Sequence, residues 1–536
     1  MKRFITIFLT LAMILSLATT AYAANVIAPA GHTYTAYQIF TGSQASDSSK
    51  LGDVEWGSGI DSADFLTALK ADSRFTTGEG ESAKNLFADC VTAKDVAEVL
   101  NEHTVFDNSI AKAFANVAAA YITGEGLAIE GSTTVPTGYY LVVDTTTVNG
   151  EHDARNSALL QITNEGDFSI AVKYDVPELD KDITAVEDTV FADGIEGVDA
   201  EMGDTIEFTL IGTLPDNYAD YETYTYKFTD TLSAGLTYKG DAKVYIDSAE
   251  GTDITGSFII APQGAQTTGG GTVTATCADL KQVAGVTADS KIVVVYTATL
   301  NTGATVGAAG NVNKAYLEYA NDPDADGTPT VGKTLEDEVL VFTYELNVNK
   351  VDGANTDTKL DGAEFVLLNS DGTKVATVEN DVLTDWVDVP TADVTTGKIT
   401  WPANTKLVSV DGKFEVKGLD SATYTLREVT APAGYNLLTK DITLVITGTN
   451  NAVAGQETNP VALTALQMKV TVDEEETTET GVPSAGIVTA TVENNAGATL
   501  PETGGMGTTL FYIIGGTMML IAVVVLVAKK RVGYAE

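Results

Sequence analysis

The side chains in this sequence that could do chemistry are amines, acids and carboxamides, and the usual catalytic sets are missing. The three histidines, His32, His103 and His152, are scattered; they give no zinc-ligand spacing and no base for a Ser/His/Asp arrangement. Cys90 and Cys277 lie far apart, so the chain is not a disulfide scaffold. What recurs in each of the two later segments is a Lys on an early strand, an acid in the middle and an Asn near the end. A cation loop is the weaker reading of Asp322 to Gly327, because Lys333 stands at the twelfth position, where a calcium loop needs Glu. An acidic inter-strand turn is expected there, and a flexible hairpin at Gly269-Gly270-Gly271.

The two ends carry chemistry meant for other enzymes. Met1-Lys2-Arg3, an apolar run from Phe4 to Leu17 and the small residues closing on Ala21-Tyr22-Ala23 have the three parts of a secretory signal peptide, with cleavage expected after Ala23. At the other end, Leu500-Pro501-Glu502-Thr503-Gly504 precedes an apolar stretch from Leu510 to Ala528 and then Lys529-Lys530-Arg531. An apolar helix of that length, rising about 1.5 Å per residue, spans roughly the hydrocarbon core of a bilayer, with the basic cluster on the cytoplasmic side. The pentapeptide resembles the sorting signal cut by sortase, a transpeptidase whose cysteine attacks the Thr-Gly bond. That resemblance makes Thr503 an acyl donor and leaves the segment from Gly504 onward in the membrane.

Between the ends the pattern is mainly β. Runs such as Ile206 to Leu210, Ile292 to Tyr296 and Ile442 to Ile446 are rich in β-branched and aromatic residues, and Gly, Asn, Asp and Pro clusters separate them. The length suits about three sandwich domains. The expected division is a signal peptide at 1–23, a first domain at 24–175, a second at 176–343, a third at 344–499, the sorting signal at 500–504, a membrane segment at 510–528 and a cytoplasmic tail at 529–536. In the first domain, Asp61 to Leu69, Ala93 to Leu100 and Ser109 to Ile122 have helical spacing, and Gly138 to Val143 reads as a strand. A formal net charge of −43 favours solubility and speaks against nucleic acid as a partner.

A family resemblance joins these parts. Tyr344 to Asp352, Leu360 to Phe365, Tyr424 to Glu428 and Ala431 to Tyr435 resemble the collagen-adhesin B-type (CnaB) immunoglobulin-like fold. Leu179-Asp180-Lys181, Phe228 to Leu232 and Asn313 to Tyr319 resemble the isopeptide-forming second domain of sortase-assembled Gram-positive pilins. The resemblance implies tandem immunoglobulin-like (CnaA/CnaB-type) sandwiches, with added helices in the first domain and a C-terminal transmembrane helix in the precursor. It implies a chemistry without a cofactor. A buried, neutral lysine on a neighbouring strand attacks an asparagine carboxamide, and a buried acid relays protons as ammonia leaves. Carried over, the lysines are Lys181 and Lys350, the acids Asp230 and Glu428, and the asparagines Asn313 and Asn494. Asn311 lies two residues from Asn313 on the same face and remains an alternative, as does the adjacent Asn495 in the third domain. The acceptor for polymerisation falls on Lys173, although the strict Tyr-Pro-Lys order of the family is absent from Phe168 to Pro177. The implied partners are sortase, other copies of the chain, other pilins and peptidoglycan. A monomeric adhesin binding host surface molecules is the alternative.

Overall fold

In this computed structural model, the residues described are 23–28, 33–44, 51–78, 83–103, 108–145, 157–162, 167–170, 176–187, 189–323, 330–395, 397–458, 460–497 and 507–532. The signal peptide up to Tyr22, Lys173 and the sorting signal Leu500 to Gly504 lie outside them, as does most of the Asp322 to Gly327 turn.

The N-terminal part combines sheet and helix. The Ala23–Ile27 strand pairs antiparallel with Ser132–Pro136 and parallel with Asp167–Ser169. A five-stranded sheet is built on the Thr33–Gln44 and Gly138–Asp144 strands. Helix α1 (Ser62–Ala71) starts where the Asp61 carboxylate accepts from the Asp64 N–H, and it buries Phe65 and Leu69. Helix α2 (Ala93–His103) starts with a reciprocal cap, in which Thr92 Oγ1 accepts from the Asp95 N–H and Asp95 Oδ2 accepts from the Thr92 N–H. Helix α3 (Asn108–Ala120) ends two residues before the expected Ile122, because Ile122 instead forms a β-bridge with Ile60. Phe40, Phe65, Phe75, Phe87 and Phe114 close a core between these helices and the sheet.

From Leu179 to Phe342 the chain forms two seven-stranded sheets face to face. One runs through Leu179–Val186, Thr205–Gly212 and Ile292–Leu300, the other through Tyr226–Leu232, Asn311–Ala320 and Asp337–Phe342. From Tyr344 to Asn494 a twelve-stranded sheet folds over its own core. Burial alternates along the strands as a half-buried sheet demands: Tyr226, Phe228, Asp230 and Leu232 face inward, as do Asn311, Asn313, Ala315, Leu317 and Tyr319. The apolar core is continuous from Ile183 through Phe342 and Tyr344 to Val492.

The junction between these two parts is tight and carries backbone hydrogen bonds. The Met202 N–H donates to the Gly418 carbonyl (2.9 Å), and the Ala308 N–H to the Pro483 carbonyl (3.1 Å). Gly307 and Gly486 meet there at positive φ; a Cβ on Gly486 would lie 2.5 Å from Gly307 Cα, so neither position has room for a side chain. Helix α4 (Gly507–Val532) has an exposed stretch, Leu510–Val527, long and apolar enough to cross a membrane.

Candidate functional site

Two buried constellations match the recurring Lys, acid and Asn pattern. In the second part, Lys181 continues the inward file that Ile183 occupies on its strand, and its side chain has no solvent exposure (0%). Its backbone N–H is held by Asp337 Oδ2 at 2.7 Å. Its Nζ donates to Asp230 Oδ2 at 2.5 Å and sits 5.2 Å from the Phe208 ring centroid and 5.7 Å from that of Tyr296. Desolvation pushes the amine down and the Asp230 carboxyl up, each opposed by attraction to the other. In a dry core both effects favour the neutral amine beside the neutral acid.

Asn313 is wholly buried on the facing sheet. Its Nδ2 donates to the Tyr296 hydroxyl at 2.6 Å, and that hydroxyl donates to Asp230 Oδ2 at 2.7 Å. Asp230 Oδ1 and Asn313 Oδ1 are both buried without a partner, a costly state unless a proton is shared or chemistry consumes it. The expectation of neighbouring strands needs correction here: Lys181 and Asn313 stand on opposite sheets, and the triad bridges the sandwich core. Asn311 shares the buried face of Asn313 but is spent on a loop. Its oxygen accepts from the Thr305 N–H, and its nitrogen donates to the carbonyls of Thr305 and Val341.

In the third part the lysine and asparagine are on neighbouring strands. Tyr344–Asp352 runs parallel to Ile487–Asn494, with Lys350 opposite Val492. Lys350 Nζ is buried and donates to the Val492 carbonyl at 3.0 Å; burial pushes its pKa down to about 8 against the pull of Glu428. Glu428 Oε2 accepts from the Leu438 N–H (2.8 Å) and from Asn494 Nδ2 (3.0 Å), and Asn494 Nδ2 also donates to the Asn436 carbonyl (2.7 Å). Glu428 Oε1 and Asn494 Oδ1 are again buried and unpartnered. Asn495 is exposed, one residue past the end of that strand.

Sequence reasoning missed Tyr296. Its only signal was alternation: in the Ile292–Leu300 strand the inward file of Ile292 and Val294 continues to a phenol. The backbone groups of Asn436 and Leu438 that hold the third site carry no side-chain signal at all. Cys90 and Cys277 are buried free thiols.

Comparisons with known proteins fit this architecture. Residues 344–459 match the SpaA family, a prealbumin-like fold domain, and residues 492–532 match the LPXTG cell wall anchor motif. The chain is thus a cell-wall-anchored surface protein of tandem β-sandwiches, and its precursor spans the membrane through the apolar helix behind the motif. Its fold is similar to that of one solved backbone pilin. The T6 backbone pilin of Streptococcus pyogenes, a modular three-domain structure, aligns over 89% of this chain and 99% of its own, with a TM-score of 0.51 and 17% identity. The trypsin-resistant surface T6 protein of Streptococcus pyogenes is 24% identical over 423 residues, 68% of this chain and 71% of that protein. The full-length major pilin SpaD of Corynebacterium diphtheriae covers 89% of this chain and 98% of its own at 14% identity, with a TM-score of 0.43.

Proposed function

We propose that this chain is a pilus shaft subunit, a structural protein and sortase substrate whose second and third sandwiches are locked by Lys181–Asn313 and Lys350–Asn494 isopeptide bonds. The observation that carries the reading is the pair of buried triads: each brings an amine, an acid and a carboxamide together in an apolar core. Each also leaves one oxygen of the acid and one of the carboxamide unpartnered.

The chemistry follows from that arrangement. The lysine lone pair forms a bond to the carboxamide carbon while the acid gives a proton to the carboxamide oxygen. The acid then takes a proton from the lysine nitrogen, so Asp230 and Glu428 end each exchange as they began. The acid next gives its proton to the carboxamide nitrogen, and collapse of the tetrahedral carbon expels that nitrogen as ammonia and returns the oxygen's proton to the acid. Fixing the reactants in one core supplies an effective molarity of roughly 10⁵ M or more, which removes the need for a cofactor. At the C-terminus, sortase cuts between Thr503 and Gly504 and passes the Thr503 acyl group to Lys173 of another copy, or to peptidoglycan at the base of the fibre.

Denaturing gels of cell-wall extracts test the polymer. A ladder of covalent multimers spaced by one subunit mass is expected. A single wall-linked band, with the protein displayed, would overturn the shaft role in favour of a monomeric adhesin.

A further inference from the structure

The two triads differ in one respect that the shared chemistry does not explain. In the third sandwich the acid touches the leaving nitrogen directly, Glu428 Oε2 standing 3.0 Å from Asn494 Nδ2. In the second the acid is Asp230, one methylene shorter. Among the hydrogen bonds of the described residues, it reaches Asn313 only through the Tyr296 hydroxyl, by steps of 2.7 Å and 2.6 Å.

We propose that the Tyr296 hydroxyl is a catalytic proton relay that protonates the departing nitrogen of Asn313, a task the longer Glu428 performs unaided on Asn494. The role rests on the reading of Lys181–Asn313 as a crosslink.

In the resting site the bonds run from nitrogen to phenol to acid. Asn313 Nδ2 donates to the Tyr296 oxygen, and the Tyr296 hydroxyl donates to Asp230 Oδ2. A planar carboxamide nitrogen accepts no proton, because its lone pair is conjugated with the carbonyl. Once Lys181 has added to the Asn313 carbon, that carbon is tetrahedral and the nitrogen lone pair is free. Both bonds then reverse: Asp230 gives its proton to the Tyr296 oxygen, and Tyr296 gives its own to Asn313 Nδ2. The carbon–nitrogen bond breaks with its electron pair going to nitrogen, ammonia leaves, and the carbinol proton returns to Asp230. Tyr296 finishes as it started, a neutral phenol. The two transfers must be concerted, since burial and the neighbouring Asp230 push the phenol well above its ordinary pKa and disfavour a free phenolate.

Packing already fixes the ring. Tyr296 stacks on Phe208 at 5.4 Å between centroids and meets Tyr238 edge-on at 5.6 Å, so Phe at this position keeps the ring contacts and loses only the relay.

The test is the time course of intact mass for the exported chain, made by cell-free synthesis. Wild type should lose two ammonia molecules, about 34 Da in all, promptly after synthesis. Tyr296→Phe should lose one at the wild-type rate, from Lys350 and Asn494, and the other at least about tenfold more slowly, as expected when a general acid is removed. Peptide mapping assigns each loss to its pair. Asp230→Glu added to Tyr296→Phe should restore much of the rate, because the extra methylene recreates the direct contact of the third sandwich. A slow bond that the added methylene leaves slow would reduce Tyr296 to a packing residue and overturn the relay. Wild-type speed in Tyr296→Phe would also overturn it while leaving the crosslink reading intact. A wild-type chain that never joins Lys181 to Asn313 would instead remove the reading on which the relay rests.

Discussion

Lys350 and Asn494 lie on adjacent parallel strands, two register positions apart: Lys350 faces Val492, and Asn494 faces Asp352. Both side chains point into the same core, and Glu428 from the facing layer bonds to Asn494. A covalent link here would join the first and last strands of the third sandwich, the two that pulling on the chain ends would separate first.

The mass balance of such links is the first prediction. Asp230→Ala and Glu428→Ala should each raise the intact mass by about one ammonia, roughly 17 Da, beyond the change in side chain, because each removes one proton-transfer group and leaves one carboxamide intact. Tandem spectra of the remaining crosslinked peptide should show Lys350 joined to Asn494 in the first variant and Lys181 to Asn313 in the second. A crosslink that survives loss of its acid would contradict the assigned roles.

The second prediction concerns stability. A bond from Lys350 to Asn494 closes a loop of well over a hundred residues, and by the chain-entropy argument used for disulfides it removes about 4–5 kcal/mol of conformational freedom from the unfolded state. Lys350→Met keeps the apolar stem and abolishes the bond. The third sandwich should then melt at a lower temperature and become protease-sensitive, while the Lys181–Asn313 bond of the second still forms. An unchanged melting transition with the crosslink gone would show that the bond does not stabilise this fold.

The third prediction uses the free amine. Asn494→Ala leaves Lys350 unreacted in a site whose burial lowers its pKa to about 8, from an ordinary 10.5. Between those values the unfolded chain binds more protons than the folded one, so stability rises with pH across that window and is flat below it. The slope should approach one proton and should vanish when Lys350→Met is added. Melting temperatures of the single and double variants from pH 7 to pH 11 give the comparison, in which other titrating groups cancel. Parallel curves would place the Lys350 amine in water.

A fourth prediction lies at the junction of the second and third parts. Glu201 accepts from Trp386 Nε1 and from the Tyr424 hydroxyl, and burial together with the neighbouring Asp420 and Asp204 raises it to about 8. Folded Glu201 therefore holds a proton that the unfolded chain has lost, and this contact weakens as pH rises from about 4.5 to about 8. Glu201→Gln, neutral at every pH, should be near wild type in melting temperature at pH 4 and higher at pH 8. A constant difference across that range would mean that Glu201 does not titrate in it.

Much of this was legible in the sequence because the chemistry-bearing residues interrupt apolar alternation. Asp230 stands in file with Tyr226, Phe228 and Leu232, and Asn494 with Val488, Ala490 and Val492; a polar residue in such a file must face the core. Alternation puts Asn494 and Asn495 on opposite faces but left both as candidates. It could not separate Asn313 from Asn311, which share a face, because only the loop at Thr305 decides which carboxamide is already satisfied. Nor could it show that Lys181 and Asn313 belong to opposite sheets, since strand order is a long-range property. Tyr296 was hidden for a similar reason: an inward tyrosine in a β-rich chain is ordinarily a core residue, and only its two hydrogen bonds set it apart.

The last prediction concerns Lys173, which lies outside the described residues and separates a shaft subunit from a monomer. An acceptor amine must be reachable by the sortase acyl-enzyme, so it should be solvent-exposed, unlike Lys181 and Lys350, which are wholly buried. An exposed lysine keeps a pKa near roughly 10.4 and is mostly charged at neutral pH. The enzyme, rather than burial, then has to remove the proton and orient the attack. Two kinds of lysine in one chain would thus be sorted by solvent, the buried pair reacting within their own domains and the exposed one only when sortase presents Thr503 of another copy. Lys173→Ala should abolish the multimer ladder in wall extracts and leave monomer on the wall, because Leu500 to Gly504 still supports transfer to peptidoglycan. Thr503→Ala should remove both. Neither change touches the two buried triads, so both variants should still show the full loss of two ammonia molecules, about 34 Da, by intact mass. A ladder that survives Lys173→Ala would move the acceptor to a different lysine, and crosslinked peptides from native wall material would identify it.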